Sequence, residues 1–488
     1  MWTNSEPWVI FEEQSLKLHA GRHMPKIKVT IRFRESGTAP KSLYLRRLID
    51  GEPYMQRMTC SVNGKEWSTI FPLRTRSTHI RFLIEREEKL SWFNASGYHS
   101  SDVTDAEDFH LRIHKPSAWF PCSVAYEVFI DRYARSGATL NVPGWARSRK
   151  WGACIDRDGQ KNAHDIFGGD LLGIVNYIPY LVDLGVNLIY ITPFFSSESA
   201  HRYDVTDFDT VDPILGGEDG LIELIQQCHK HDIRVIGDIT LNHTSWHHPW
   251  FQSAIADVHA AVRERYYFLE DGSYVCWDDL PHLPKLNWDD PTLEADMLRS
   301  LTYFIEPKIG LDGWRIDAAN MVGKYRDSDA TSRIISRVWS ECRRVNPDAV
   351  VIVEHNHDAS GLIHRAKFDG IMNYVSVARP LWAWLADTPR AGFFGLPTNI
   401  YGITGEELVN CCRSWEASYG ISVLRSSLNV ITSHDTPRMN SLWGGHPDRT
   451  IAALGYLFAY PGVWLALNKI VFRCVLGWSL ARARYRMG

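Results

Sequence analysis

Three short stretches of this chain each place an acid at the end of an apolar, strand-like run: GWRID (313–317), VVIVE (350–354) and NVITSHD (429–435). A buried parallel strand reads as a near-continuous apolar run, so a charged residue at its carboxyl end needs a reason. In a barrel of parallel strands, that end is where active sites are built. The pattern predicts that Asp317, Glu354 and Asp435 meet in one cleft, and paired carboxylates are the equipment of glycosidic bond cleavage. A fourth stretch, RVIGDITLNH (234–243), adds Asp238, Asn242 and His243.

The rhythm around these runs sets the fold. Residues 1–118 read as short alternating strands (KIKVTIRF, SLYLRRL, THIRFLIE, FHLRI) separated by turn residues, which predicts an N-terminal β-sandwich. From residue 119 the pattern becomes strand, helix, strand. Strands are expected at 124–130, 186–192, 234–239, 312–317, 349–354, 370–374 and 428–433, with a weaker eighth around 461–467. Helices are expected over 170–185, 218–232, 328–345 and 404–419. Residues 244–293, rich in Trp, His, Asp and Pro, interrupt the rhythm as an insertion after the third strand. The fold class is therefore α/β, a (β/α)8 barrel over 119–470 behind a β-sandwich. The last segment, 464–488, mixes apolar and basic residues without an acid and is an atypical tail.

A net charge of −4 gives no nucleic-acid or polybasic membrane signature, and no apolar run reaches the length of a membrane span. The first residues lack a basic region followed by an apolar core, and nine cysteines without CxxC spacing suit a reduced compartment; both point to the cytoplasm. The 19 Trp and 20 Tyr serve an aromatic core and sugar faces equally well.

Retaining glycosidases need a nucleophile and an acid/base carboxyl about 5–5.5 Å apart. Asp317 is assigned as nucleophile, because Arg315, two residues earlier on the same strand face, would keep it ionised and oriented. Glu354 would be the general acid/base and must start protonated. Asp435 would stabilise the oxocarbenium-like charge. His243 and His434 would donate to sugar hydroxyls. His243, His247 and His248 have a spacing that could hold a metal on one helical face. However, Pro249 follows and no helix is predicted there, so a surface or capping role is expected instead.

At these residues the chain resembles glycoside hydrolase family 13, the α-amylase family. DITLNH, GWRID, VIVEHNHD and ITSHD look like its four signature regions, in order. The resemblance implies a retaining mechanism on α-glucosidic bonds, with the roles given to Asp317, Glu354 and Asp435. It also implies sugar contacts from Asn242, His243, Arg315 and His434. HRYDVTDF (201–208) looks like the segment whose Tyr stacks on the reacting sugar, here Tyr203 with Asp204 beside it. LPKLN (283–287) and Asn320 resemble the neopullulanase, cyclomaltodextrinase and maltogenic amylase group, with an N-terminal starch-binding-type domain. That group implies maltodextrin, cyclodextrin or related α-glucan substrates and a homodimer.

Three departures modify this. Met321 stands where the group has Glu, which keeps glucosyl transfer to a sugar open as an alternative to hydrolysis. YARSG (133–137) lacks the Asn-Gly-Asp that helps hold a structural calcium, leaving Asp131, Gly169 and Asp170 as candidate ligands; no cofactor is otherwise required. WLALNKIVFRCV follows YPGV where the family continues into a C-terminal β-domain. The comparison implies a chain truncated at its C-terminus, without a proper eighth strand and of low activity, or a non-catalytic glucan-binding remnant.

Overall fold

The computed structural model describes residues 7–17, 23–33, 39–87, 89–138, 141–155, 162–385, 402–436 and 443–466. They divide into two compact units. One joins the residues through Lys115 to those within 375–389 and 399–425; the other holds the rest.

The first unit contains two antiparallel sheets. Trp8–Lys17, His23–Arg32, Glu66–Pro72 and Thr59–Cys60 form one, in that order. Glu52–Arg57, Ser42–Ile49, Ser77–Arg86, Lys89–Asn94 and Gly97–His99 form the other, with Phe109–Arg112 also pairing to Ser77–Arg86. Alternate residues of both sheets share one core: Val29, Ile31 and Phe71 from the first, Leu43, Leu45, Ile80 and Phe82 from the second. That is the inward half of a period-two pattern in a sandwich. The helix Gly405–Tyr419 belongs to this unit and starts on a capping box between Thr404 and Glu407.

The second unit is a closed parallel barrel. Its strands are β1 (Val124–Val128), β2 (Leu188–Ile191), β3 (Arg234–Thr240), β4 (Gly313–Asp317), β5 (Val350–Val353), β6 (Gly370–Asn373), β7 (Leu428–Val430) and β8 (Val463–Ala466). Gly237 in β3 is required by a close approach. A Cβ there would stand 2.7 Å from the Trp314 ring and 2.8 Å from that of Phe194.

Several expectations change. The eighth strand is properly formed: β8 pairs in parallel with β7 and with β1, so the barrel closes. Three of its four residues, Val463, Leu465 and Ala466, are buried, and apolar burial supplied what the weak pattern did not advertise. A helix, Pro249–Ala256, begins where none was expected. Pro249 starts it rather than blocking it, because proline suits the first helical turn, and His248 caps it by accepting from the Trp250 N–H at 3.1 Å. The helix expected over 170–185 is two pieces, Leu171–Val175 and Ile178–Asp183, the second opening with Pro179 in its first turn. The part of the tail from 467 to 488 lies outside the described residues. Among the described residues, no helix is long and apolar enough to cross a membrane.

Candidate active site

The parallel register stacks the polar residues of neighbouring strands. Glu127 on β1 pairs with Tyr190 on β2, Asp238 on β3 with Arg315 on β4, and Thr240 with Asp317. Glu354 follows β5, its N–H bonded to the Ile316 carbonyl at 3.0 Å. Asp435 follows β7 through Ser433 and His434. The carboxyl ends of the strands thus bring the predicted acids to one place.

Arg315 is at its centre, with a fully buried side chain. Its Nη1 donates to Asp238 at 3.0 Å and to Asp317 Oδ1 at 2.8 Å, and Nη2 lies 3.0 Å from Glu354 Oε1. Glu354 Oε2 accepts from the Ala318 N–H at 2.7 Å. Ala318 reaches this position with a left-handed φ of +43°, a strain that a non-glycine residue accepts only where the surroundings hold it.

Arg315 was expected to keep Asp317 ionised. It orients Asp317, but one guanidinium is shared among three carboxylates. Burial first, then repulsion from Glu354, Asp238 and Asp435, outweigh Arg315 and push the Asp317 carboxyl well above the usual range. Asp238 and Asp435 are also raised, chiefly by burial. The group therefore retains a proton at a pH where separate carboxylates would have none.

A chain of hydrogen bonds flanks these acids. Tyr190 and Tyr203 both donate to Asp238 Oδ2, at 2.5 and 2.8 Å. The Tyr203 ring stacks on His434 with centroids 5.4 Å apart, and its oxygen lies 2.6 Å from His434 Nε2. His434 also meets Asp435 Oδ1 at 3.2 Å and, through Nδ1, Glu127 Oε1 at 2.5 Å. Burial disfavours charge on this ring, but Asp435 and Glu127 prevail and raise it to about 9. Asp435 remains the most open of the predicted acids, with 37% of its side chain exposed.

The other predicted contacts are partnered in different ways. Asn242 is buried, and its carbonyl oxygen accepts from the Lys285 ammonium. His243 is also buried; burial and then the Lys285 charge lower it to about 3, so its ring is neutral. Asp204 turns to the hydroxyls of Ser197 (2.7 Å) and Ser199.

The candidate calcium ligands do not fit that ion. The Asp131 carboxylate accepts from the Phe167 and Gly168 N–H groups at 3.0 and 2.9 Å. Asp170 accepts from Ser136 N–H, Ser136 hydroxyl and Gly173 N–H, and so caps the helix Leu171–Val175. Gly169 donates its own N–H to the Asp131 carbonyl. Calcium wants six to eight oxygens turned toward it, and these oxygens face amide and hydroxyl protons.

Sequence reasoning missed Glu127, Tyr190 and Lys285. Glu127 is a lone acid inside the apolar run VAYEVFI, the same kind of anomaly that singled out Asp317. Lys285 sits in LPKLN, and its Nζ also donates to the Met321 carbonyl at 2.8 Å.

Residues 127–282 and 270–463 match the family model of the α-amylase catalytic domain. A cyclomaltodextrinase of Geobacillus thermopakistaniensis is 27% identical over 377 residues, covering 73% of this chain and 58% of that protein. The cyclomaltodextrinase of Thermoanaerobacter pseudethanolicus is 30% identical over 358 residues, covering 71% and 56%. The chain thus spans less than two thirds of the length of these curated relatives. A solved cyclomaltodextrinase structure superposes with a TM-score of 0.68 at 23% identity, over 91% of this chain and 74% of that one, a likeness of fold.

Proposed function

This chain belongs to the α-amylase family, and we propose that it hydrolyses α-glucosidic bonds in maltodextrins, cyclodextrins or related α-glucans with retention of configuration. The observation that carries the reading is Arg315, whose one guanidinium joins Asp317 and Glu354. Asp317 at 2.8 Å from Nη1 and Glu354 at 3.0 Å from Nη2 of one planar fork lie close to each other, and double displacement requires two neighbouring carboxyls. Cyclomaltodextrinases among the relatives support the substrate class.

In this reading Asp317 attacks the anomeric carbon and forms the glycosyl-enzyme, while Glu354 protonates the departing oxygen. Glu354 then takes a proton from water, which releases the sugar and regenerates both carboxyls. Asp435, beside the protonated His434, faces the positive charge of the transition state. The proton for the first step comes from the group itself. Among the described residues, Glu127, Asp238, Asp317, Glu354 and Asp435 face the cations Arg315 and His434, so full ionisation would leave an excess of negative charge there. Keeping a proton relieves part of that cost.

The resemblance to dimeric members of the family brings a homodimer into the same proposal; sedimentation as a monomer would remove it. The central test is hydrolysis of β-cyclodextrin, maltotriose, pullulan and soluble starch, with Asp317→Ala as control and proton NMR of the nascent product. Release of α-anomeric sugar that vanishes in the control is expected. Release of the β-anomer would refute retention. Disaccharide or longer transfer products in the presence of added glucose would instead favour glucosyl transfer.

A further inference from the structure

Glu127 takes no part in the steps above, yet it is 1% exposed and aimed at the site. Its Oε1 accepts from the His434 main-chain N–H at 3.1 Å as well as meeting the ring Nδ1. Its Oε2 is buried without a hydrogen-bond partner among the described residues. A buried carboxylate left half-satisfied is costly unless a cation stands against it, and the ring of His434 is what stands there.

The protons around that ring can be counted. A carboxylate has none to give, so the hydrogen facing Glu127 is on Nδ1. Three contacts remain: Nε2 with the Tyr203 oxygen at 2.6 Å, Nε2 with Asp435 Oδ1 at 3.2 Å, and the Tyr203 oxygen with Asp238 Oδ2 at 2.8 Å. Tyr203 owns one proton, and Asp238 Oδ2 also receives one from Tyr190. With a neutral ring and with Asp238 and Asp435 ionised, that single tyrosine proton must serve every remaining contact, and wherever it points acceptors oppose acceptors. A proton on Nε2 resolves this: Nε2–H is shared by Tyr203 and Asp435, and Tyr203 donates to Asp238.

We propose that Glu127 is a positioning residue that keeps His434 as a doubly donating imidazolium, fixing the direction of the hydrogen bonds among Tyr203, Asp435 and Asp238. Every charged neighbour among the described residues enters the balance. Glu127 from β1, Asp238 from β3 and the adjacent Asp435 favour the cation. Arg315 from β4 and His201 after β2 oppose it, and the Tyr203 hydroxyl accepts from it. The acids prevail even against burial, holding the ring's proton to about 9. The proposal rests on the hydrolase reading for its meaning in turnover, since only there does a fixed Asp435 face a developing cation.

The test reads the ring rather than turnover. In chain labelled with ¹⁵N-histidine, the His434 signals are assigned by their loss in His434→Gln. At pH 8 the wild-type ring is expected to carry both protons. In Glu127→Gln, which keeps shape and removes charge, the titration midpoint is expected to fall by about one to three units. A neutral His434 at pH 8 in the wild type, or an unchanged midpoint in folded Glu127→Gln, overturns the proposal. Should that variant fail to fold, the wild-type spectrum decides alone. A chain that cleaves no glucan still gives this spectrum, so failure of the hydrolase reading and failure of this proposal are distinct results.

Discussion

Replacing Arg315 with methionine removes a fully buried cation that meets Asp238, Asp317 and Glu354 at 2.8 to 3.0 Å. Methionine matches the length of the stem, so the loss is mainly electrostatic. Removing one partner of a buried ion pair costs about 3–5 kcal/mol, because the remaining charge has no compensation. Here three acids lose their shared partner, and they respond by taking up protons, which limits the cost to the same range. At roughly 2–4 °C per kcal/mol or somewhat less for a unit of this size, the barrel transition should fall by about 5–15 °C at pH 8. The sign of the pH dependence follows from linkage. In the variant the Asp238 and Asp317 carboxyls, already raised in the wild type, have folded proton affinities raised further above their unfolded values, near pH 4. The folded state then binds more protons than the unfolded one between those values, and its stability rises as pH falls. The gap between wild type and Arg315→Met should therefore be widest at pH 8 and shrink toward pH 5. Differential scanning calorimetry at the two pH values measures it. A gap that is the same at both would show that Arg315 contributes packing rather than charge compensation and would refute the argument.

Three further outcomes follow from the same geometry. Because Asp317 is raised by burial and by its neighbours, and the nucleophile must be ionised, kcat/KM should climb with pH along a limb well above the usual aspartate value of about 4, and fall at the latest as His434 loses its proton near 9; a pH–rate profile with its acid limb at the ordinary aspartate value would contradict this. Lys285→Met leaves the buried Asn242 oxygen and the part-buried Met321 carbonyl without their donor, so a loss of about 1–3 kcal/mol for the buried group should appear in thermal melts. Exhaustive treatment with a calcium chelator should leave the melting temperature unchanged, since Asp131 and Asp170 already spend their oxygens on amide and hydroxyl donors; a drop restored by added calcium would show an ion held elsewhere.

The acids of the site were legible because strand direction is fixed by the chain. An acid after an apolar run lies at the carboxyl end of a parallel strand, where Asp317, Glu354 and Asp435 meet. Asp312 and Asp369 precede apolar runs instead, and their work is structural. Asp312 accepts from the Val235 N–H and Asp369 from the Val351 N–H, both at 2.8 Å, tying neighbouring strands at the opposite end. Glu127 stood out only as an acid within an apolar run, and Tyr190 not at all, because what makes them part of the site is the register of β1 against β2, a long-range property. The Lys285 contact was hidden for the same reason: its ammonium joins the insertion to the ends of two strands. Within the helices, proline misled in opposite ways: Pro249 was read as a breaker and Pro179 was passed over, although each stands in the first turn of a helix.

The polar layer inside the barrel is costly, and β4 shows how the fold sustains it. Successive side chains of a strand point to opposite faces. Arg315 and Asp317 face inward, whereas Trp314, fully buried, faces the helix Pro291–Ile305, donating its indole N–H to the Leu301 carbonyl at 3.1 Å. Phe194, Phe195 and Phe304 surround its ring with centroids 5.8 to 6.0 Å away. A slip of one residue would exchange the faces, placing a guanidinium among three aromatic rings and an indole among carboxylates. Burying that charge without its partners would cost several kcal/mol, and the aromatic burial would be lost as well. The slipped state is therefore excluded by both faces at once. The apolar cluster that stabilises the barrel is also what holds Arg315 and Asp317 in register with Asp238 and Thr240, so the accuracy of the site and the stability of the core have one cause.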